Sequence, residues 1–264
     1  EASNHLRFVV TGSFFNPGPC GIFLAGVFVL AVAMMKKGYR KVGINLMFVR
    51  YVAACMAFCV TLVAMVPTMS RAGWIGALVG VMLLYRKEIA GRIKISRRWV
   101  IGGGVMGLMI VLTLFYLLKK DSANGRLFIW QNTITAYSKA PLFGVGIDGF
   151  ERAYAEAQHD YFMKENALEQ DNRYTELAGV VESAFNEPLA LFLLLGATGG
   201  ILAAIVLFLK LRRLTAYGCV AVSLLVASLF SYTFYIPSIA ILFLFAVAQL
   251  PDRKIGTARY ANVL

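Results

Sequence analysis

Charge is scarce in this chain. Only 15% of its 264 residues are Asp, Glu, Lys or Arg, and acids are the rarer half, 14 against 26 basic residues. An ordinary soluble domain carries about 25% charged residues, so a conventional water-solvated surface is excluded. Histidine is almost absent. His5 and His159 are the only two, and neither has a partner at zinc-ligand spacing. Cysteine is equally sparse. Cys20, Cys55, Cys59 and Cys219 all lie in apolar stretches, and Cys55 and Cys59 form no CxxC. They read as small buried hydrophobes, so no metal site and no cofactor follow from them. A basic n-region followed by a small-residue cleavage site is also missing, so no signal peptide is expected. The chain opens without Met, inside "EASNHLRFVVTGSFFNPGP", as a fragment of something longer would. Internal repeats and low-complexity segments are absent.

What is abundant is apolar sequence. Hydrophobic residues make up 59%, and mean hydropathy is +0.70. Several segments approach the ~20 residues that cross a bilayer as helix. Span one is roughly Cys20–Met35, span two lies within Ile44–Met69, span three is roughly Ser70–Tyr85, and span four Trp99–Leu118. Span five is roughly Pro188–Leu209. The run Ala216–Leu250 is too long for one crossing, and Pro237 interrupts it. It reads as two short helices joined near "YTFYIPS". The expected fold is an all-α polytopic membrane protein with about seven transmembrane helices. Its parts are spans one to four in 1–118, a helical extracytoplasmic loop in 119–187, spans five to seven in 188–250, and a cytoplasmic tail in 251–264.

The basic residues test this map. Lys36, Lys37, Arg40 and Lys41 follow span one, and Arg86, Lys87, Arg92, Lys94, Arg97 and Arg98 follow span three. Lys210, Arg212 and Arg213 follow span five, and Arg253, Lys254 and Arg259 lie in the tail. Crossing parity puts all of them on one face, with only Glu88 and Asp252 for company. By the positive-inside rule that face is cytoplasmic. The net charge of +12 is then a matter of topology, and no nucleic-acid partner is needed to explain it.

The long loop is different. Eleven acids and seven bases between 119 and 187 give a balanced, solvated composition. Leu127, Trp130, Ile134 and Tyr137 share a helical face after Asn124 as N-cap, and Pro141 ends that helix. A second helix from about Phe150 sets Phe150, Tyr154 and Tyr161 on one side. Between them, "GVGIDG" has the letters of a dinucleotide fingerprint but no strand before it, so it reads as a tight turn.

A few residues stand out as carriers of chemistry. Counting back ~20 residues from Tyr85 passes Arg71, which therefore lies at or inside the outer edge of the hydrocarbon. An arginine there points at a partner or an anionic ligand, or snorkels to the interface. Arg50, near the cytoplasmic end of span two, snorkels. Arg126, in "NGRLFIW", starts a loop helix, where free N–H groups and a guanidinium can grip a phosphate. Asn16, in "FFNPGP", lines a site or simply starts a helix. Glu182, Asn186 and Glu187 stand in "ESAFNEPL", at the mouth of span five, where ionisable groups are expensive.

The order of these pieces carries a resemblance. "SRAGW" opens one span, a basic loop and another span follow, then "GRLFIWQNTITAYSKAPLFGVGIDGF", then "FNEPLALFLLLGATGG" entering the next span, with "TGSFFNPGP" upstream. Over about residues 11–205 the chain resembles the O-antigen ligase/polymerase family of bacterial envelope glycosyltransferases. The resemblance implies a GT-C-like fold, with further N-terminal spans in the usual family member. It implies metal-independent glycan transfer from an undecaprenyl-diphosphate carrier at the periplasmic face of the inner membrane. The acceptor would be lipid A–core, another glycan or a protein. Arg71 and Arg126 match the family's arginine positions and would clamp the diphosphate, with Asn16 and Glu182 as further substrate-binding candidates. Ligases of this kind carry a His, proposed as the base, just before the Asn at this mouth. Here that position is Phe185. Glu187, beside Asn186, then takes an orienting or base role, or is a helix N-terminal acid favoured by the dipole. Glu182 is the other nearby carboxylate. Two competing functions are a transporter that binds an anion at Arg71 and a non-catalytic relative that binds the carrier lipid. The chain shows no repeated halves of the kind that mark transporter sites.

Overall fold

The computed structural model describes residues 11–14, 16–37, 44–92, 120–164, 174, 179–212 and 214–251. All regular structure among them is helical. A 3-10 turn at Gly12–Phe14 leads into α1 (Pro17–Lys37), α2 (Ile44–Thr68), α3 (Arg71–Leu84) and the short α4 (Arg86–Arg92). The loop region supplies α5 (Lys120–Lys139) and α6 (Phe150–Lys164). Then come α7 (Glu187–Leu211), α8 (Ala216–Ser228) and α9 (Pro237–Ala248). The expected span Trp99–Leu118 lies outside the described residues.

Among the described residues, three helices are long and apolar enough to cross a membrane by length and composition: Pro17–Lys36, Phe48–Thr68 and Glu187–Leu211. The shorter apolar helices are Arg71–Leu84, Ala216–Ser228 and Pro237–Ala248. The joint expected in the last apolar run is present, and α9 starts at Pro237, where a missing N–H costs nothing. α2 exposes Met56, Val60 and Val63 along one side, an apolar stripe suited to lipid.

α1, α3 and α8 form the tight core of the bundle. Ile22, Val29, Cys219, Leu224 and Ile239 are buried there together. Small residues allow the close approach. A Cβ on Gly73 of α3 would stand 2.5 Å from the carbonyl oxygen of Gly21 in α1. That contact fixes the start of α3 against the start of α1, and so decides what lies beside Arg71.

α5, α6 and the first turns of α7 form a second cluster. Ala136, Phe150, Tyr154, Ala157, Ala184, Ala190 and Leu193 are buried in it. Phe128 stacks on Tyr174 at 4.7 Å and meets Phe162 and Tyr161. The apolar stripe of α5 is only partly covered: Trp130 and Tyr137 are half-buried. Leu127 and Ile134 are exposed, and Phe128, Asn132, Thr133 and Ala136 are buried instead. Asn132 and Thr133 tolerate this because each donates to a carbonyl one turn back, Phe128 at 3.1 Å and Ile129 at 2.7 Å. The helix also begins at Lys120, so Asn124 lies within it.

Span five is not one regular helix. Gly196 adopts φ 67 and ψ −175 inside α7, a backbone state open to glycine. The turn after α5 fits into this break. Val145 and Gly146 donate to the carbonyls of Leu193 and Leu194, each at 3.0 Å, while Ala197 donates to Pro141 at 2.8 Å. The interrupted helix therefore keeps its polar groups satisfied through the 141–146 segment, as burial demands.

Candidate functional site

The site is built where α1, α3 and α7 begin. Asn16 starts α1: its Oδ1 accepts the N–H of Gly18 at 2.9 Å. Ser70 starts α3: its Oγ accepts the N–H of Gly73 at 3.3 Å and donates to the carbonyl of Gly18 at 3.0 Å. Ser70 therefore ties the first turn of α3 to the first turn of α1, and Arg71 is the next residue.

Arg126 reaches the same place from α5. Its Nη1 donates to the carbonyl of Phe230 at 2.8 Å, in the segment 229–236 that joins α8 to α9. Burial, then the nearby charge of Arg71, pulls its pKa below the usual arginine value, and Tyr232 acts the other way. Two cations from separate helices thus sit within electrostatic reach of each other.

Phe185 sits beside Arg126. The guanidinium lies 5.7 Å from the centre of its ring. The backbone of Phe185 has φ 51, an uncommon conformation for a bulky residue. The Phe185 ring also meets Tyr232, edge to face, with centroids 5.2 Å apart. The Tyr232 hydroxyl accepts Nδ2 of Asn16 at 2.7 Å. Burial raises the Tyr232 pKa, Arg126 and Asn16 oppose the rise, and the charge of Glu182 adds to it. Glu182 itself is exposed at the rim.

Asn186 and Glu187 are both engaged with backbone. Asn186 is the N-cap of α7, and its Oδ1 accepts the N–H of Leu189 at 3.0 Å. The first residue of the helix is Glu187, whose Oε1 accepts the N–H of Phe234 at 2.7 Å. The N–H groups of Thr233 and Tyr235 face the same carboxylate. Three consecutive peptide donors make an anion nest, occupied here by a side chain of the protein itself.

Asn16, Arg71, Arg126 and Glu182 are therefore brought into one neighbourhood with Phe185, and Asn186 and Glu187 frame it. Arg50 is exposed on α2. His159 is exposed on α6, 3.9 Å from Asp160. Sequence reasoning missed Tyr232. Its signal was the aromatic, proline-broken joint "YTFYIPS" inside an apolar run. Among the described residues no group of three His, Cys, Asp or Glu is placed to hold a metal ion.

The arrangement defines an all-helical membrane protein with a cationic mouth at the heads of apolar helices, suited to an anionic headgroup. Residues 55–201, more than half of the chain, match the O-antigen ligase family, and the chain belongs to that family. None of the curated proteins searched matches it. Membership supports glycan transfer at a membrane as the general function. The matched residues contain Arg71, Arg126, Glu182, Phe185, Asn186 and Glu187, while Asn16 and Tyr232 lie outside them.

Proposed function

We propose that this chain transfers a glycan from an undecaprenyl-diphosphate carrier to an acceptor hydroxyl, on the periplasmic face of a bacterial inner membrane crossed seven times. The convergence of Arg71 and Arg126 carries the reading. Two guanidinium groups held together repel, and a diphosphate turns that repulsion into attraction. The heads of apolar helices are where the headgroup of a prenyl carrier waits, its tail among membrane lipids.

In the reaction the acceptor oxygen bonds to the anomeric carbon. The bond from that carbon to the diphosphate oxygen breaks, and its electron pair leaves on the lipid diphosphate. The acceptor proton passes to that diphosphate, the base generated by the step itself. Positioned cations stabilise the charge that develops on the leaving group. Phe185 accepts no proton. Glu187 works as a positioning residue: through the N–H of Phe234 it holds the segment whose Phe230 carbonyl receives Arg126. Glu182, exposed and within electrostatic reach of Tyr232, is a further substrate-binding group. The acceptor is lipid A–core, another glycan or a protein.

The test is reconstitution of the full chain with a lipid-diphosphate-linked glycan and an acceptor. Transfer is expected, and Arg71→Ala and Arg126→Ala should each lower it by about a thousandfold. Transfer that survives both substitutions would sink the diphosphate clamp. Carrier binding without transfer would identify a non-catalytic relative, and movement of an anion across the membrane a transporter.

A further inference from the structure

Tyr232 is more than packing in this mouth. We propose that its phenolic O–H donates a hydrogen bond to an oxygen of the carrier diphosphate, between the cations Arg71 and Arg126. This rests on the reading of the mouth as a diphosphate site.

The direction of the hydrogen bonds carries the inference. The N–H of Gly18 can only donate, so the Asn16 atom it meets, at 2.9 Å, is the amide oxygen. The amide nitrogen of Asn16 is then the atom 2.7 Å from the Tyr232 oxygen, and a nitrogen of that kind can only donate. Tyr232 is therefore an acceptor in this bond. Its own hydrogen is turned away from Asn16, and no described residue accepts it. Asn16 acts as a positioning residue that sets the polarity of the phenol.

The surroundings decide which ligand takes that hydrogen. The ring of Tyr232 stands against Phe185, and the other neighbour of Phe185 is the Arg126 guanidinium, 5.7 Å from its centroid. Arg126 and Tyr232 thus flank one phenyl ring. Ser70 bonds the Gly18 carbonyl, so the same α1 turn that holds Tyr232 also abuts the residue before Arg71. Tyr232 is a neutral donor beside Arg126, which itself feels the charge of Arg71, and it is only partly buried, so a headgroup can reach it. An anion with several acceptor oxygens satisfies all of these groups at once. An acceptor sugar satisfies the phenol and not the cations. A phenol with an ordinary pKa of about 10 is protonated at neutral pH, as a donor must be.

The variant Tyr232→Phe keeps the ring and its contact with Phe185 and removes only the hydroxyl. In the full chain in lipid nanodiscs, inhibition of transfer by free undecaprenyl diphosphate should weaken by about tenfold, and turnover should fall by about 10- to 30-fold, the loss expected for one hydrogen bond to a charged group. The KM for the acceptor should not move. An inhibition constant and turnover within twofold of the parent would overturn the proposal. A raised acceptor KM with undiminished inhibition would also overturn it, by placing the hydroxyl on the acceptor. Failure of the underlying reading looks different: the parent chain itself would not prefer undecaprenyl diphosphate to undecaprenol. A double variant supplies a readout that mere packing would not give. Asn16→Leu should weaken inhibition less than Tyr232→Phe does, and should add nothing to it when the two are combined. Full additivity would overturn the role given to Asn16.

Discussion

Two helices begin at the mouth, and they begin with opposite charges. α7 starts with Glu187 behind an Asn186 cap, and α3 starts with Arg71 behind a Ser70 cap. The N-terminus of a helix carries partial positive charge, so an acid there is favoured and a cation disfavoured, by about 0.3–1 kcal/mol. Glu187 is thus explained by its own helix and by the three N–H groups of the 233–235 nest. Arg71 is placed against the preference of its helix, in reach of a second cation. A charge that its own helix does not account for is a better pointer to function than one that local structure already explains. The difference teaches which of two equally conspicuous charges to assign to the substrate.

The comparison predicts separable phenotypes. Arg71→Ala should lower transfer by about a thousandfold, the scale for removing a preorganised group at a developing charge. A variant that unfolds earlier and still transfers would reverse the assignment. Next in size is Gly196→Ala, on the α7 side. The added Cβ would stand 2.2 Å from the Leu142 carbonyl oxygen at a φ of 67. A loss of about 3 kcal/mol in unfolding stability is expected, with turnover falling through displacement of the mouth. Normal stability in that variant would mean that α7 can close its break. Smaller again is Glu187→Gln, which keeps the size of the side chain and lacks the charge facing the nest. Stability should fall by about 1–2 kcal/mol, and turnover by roughly tenfold, with carrier binding nearly intact. Lost carrier binding at unchanged stability would make Glu187 a substrate ligand instead.

The apolar helices and the arginines were legible because each is signalled locally. Length and hydropathy mark α1, α2 and α7, and Pro237 marks the joint between α8 and α9. Arg71 was conspicuous as a charge near the edge of a span. What stayed hidden depends on contacts distant in sequence. Tyr232 acquires meaning only through Asn16, 216 residues away. The break at Gly196 was masked by "GATGG", whose neighbours are apolar enough to read as continuous helix. It becomes a break because segment 141–146 supplies the missing hydrogen bonds. The helical stripe of α5 did not reveal which face is buried, for a related reason. Periodicity finds apolar stripes, while Asn132 and Thr133 satisfy their polar atoms within the helix and can be buried in place of Leu127 and Ile134.

The smallest expected effect separates the two caps themselves. Asn186→Ala removes one bond, to the N–H of Leu189. Ser70→Ala removes two, the N–H of Gly73 and the link to the Gly18 carbonyl in α1. Each cap is worth about 1 kcal/mol, so thermal unfolding should shift by similar small amounts in both. Turnover should not respond equally. The Ser70 hydroxyl registers the start of α3 against the turn that holds Asn16 and, through it, Tyr232. Its loss frees Arg71 to shift relative to the phenol, and small misplacements of binding groups are costly in rate. Ser70→Ala should therefore slow transfer by about three- to fivefold, and Asn186→Ala by less than twofold. Equal turnover in the two variants would show that the α1–α3 link does not set the geometry of the mouth, and that the contact of Gly73 with Gly21 holds it unaided.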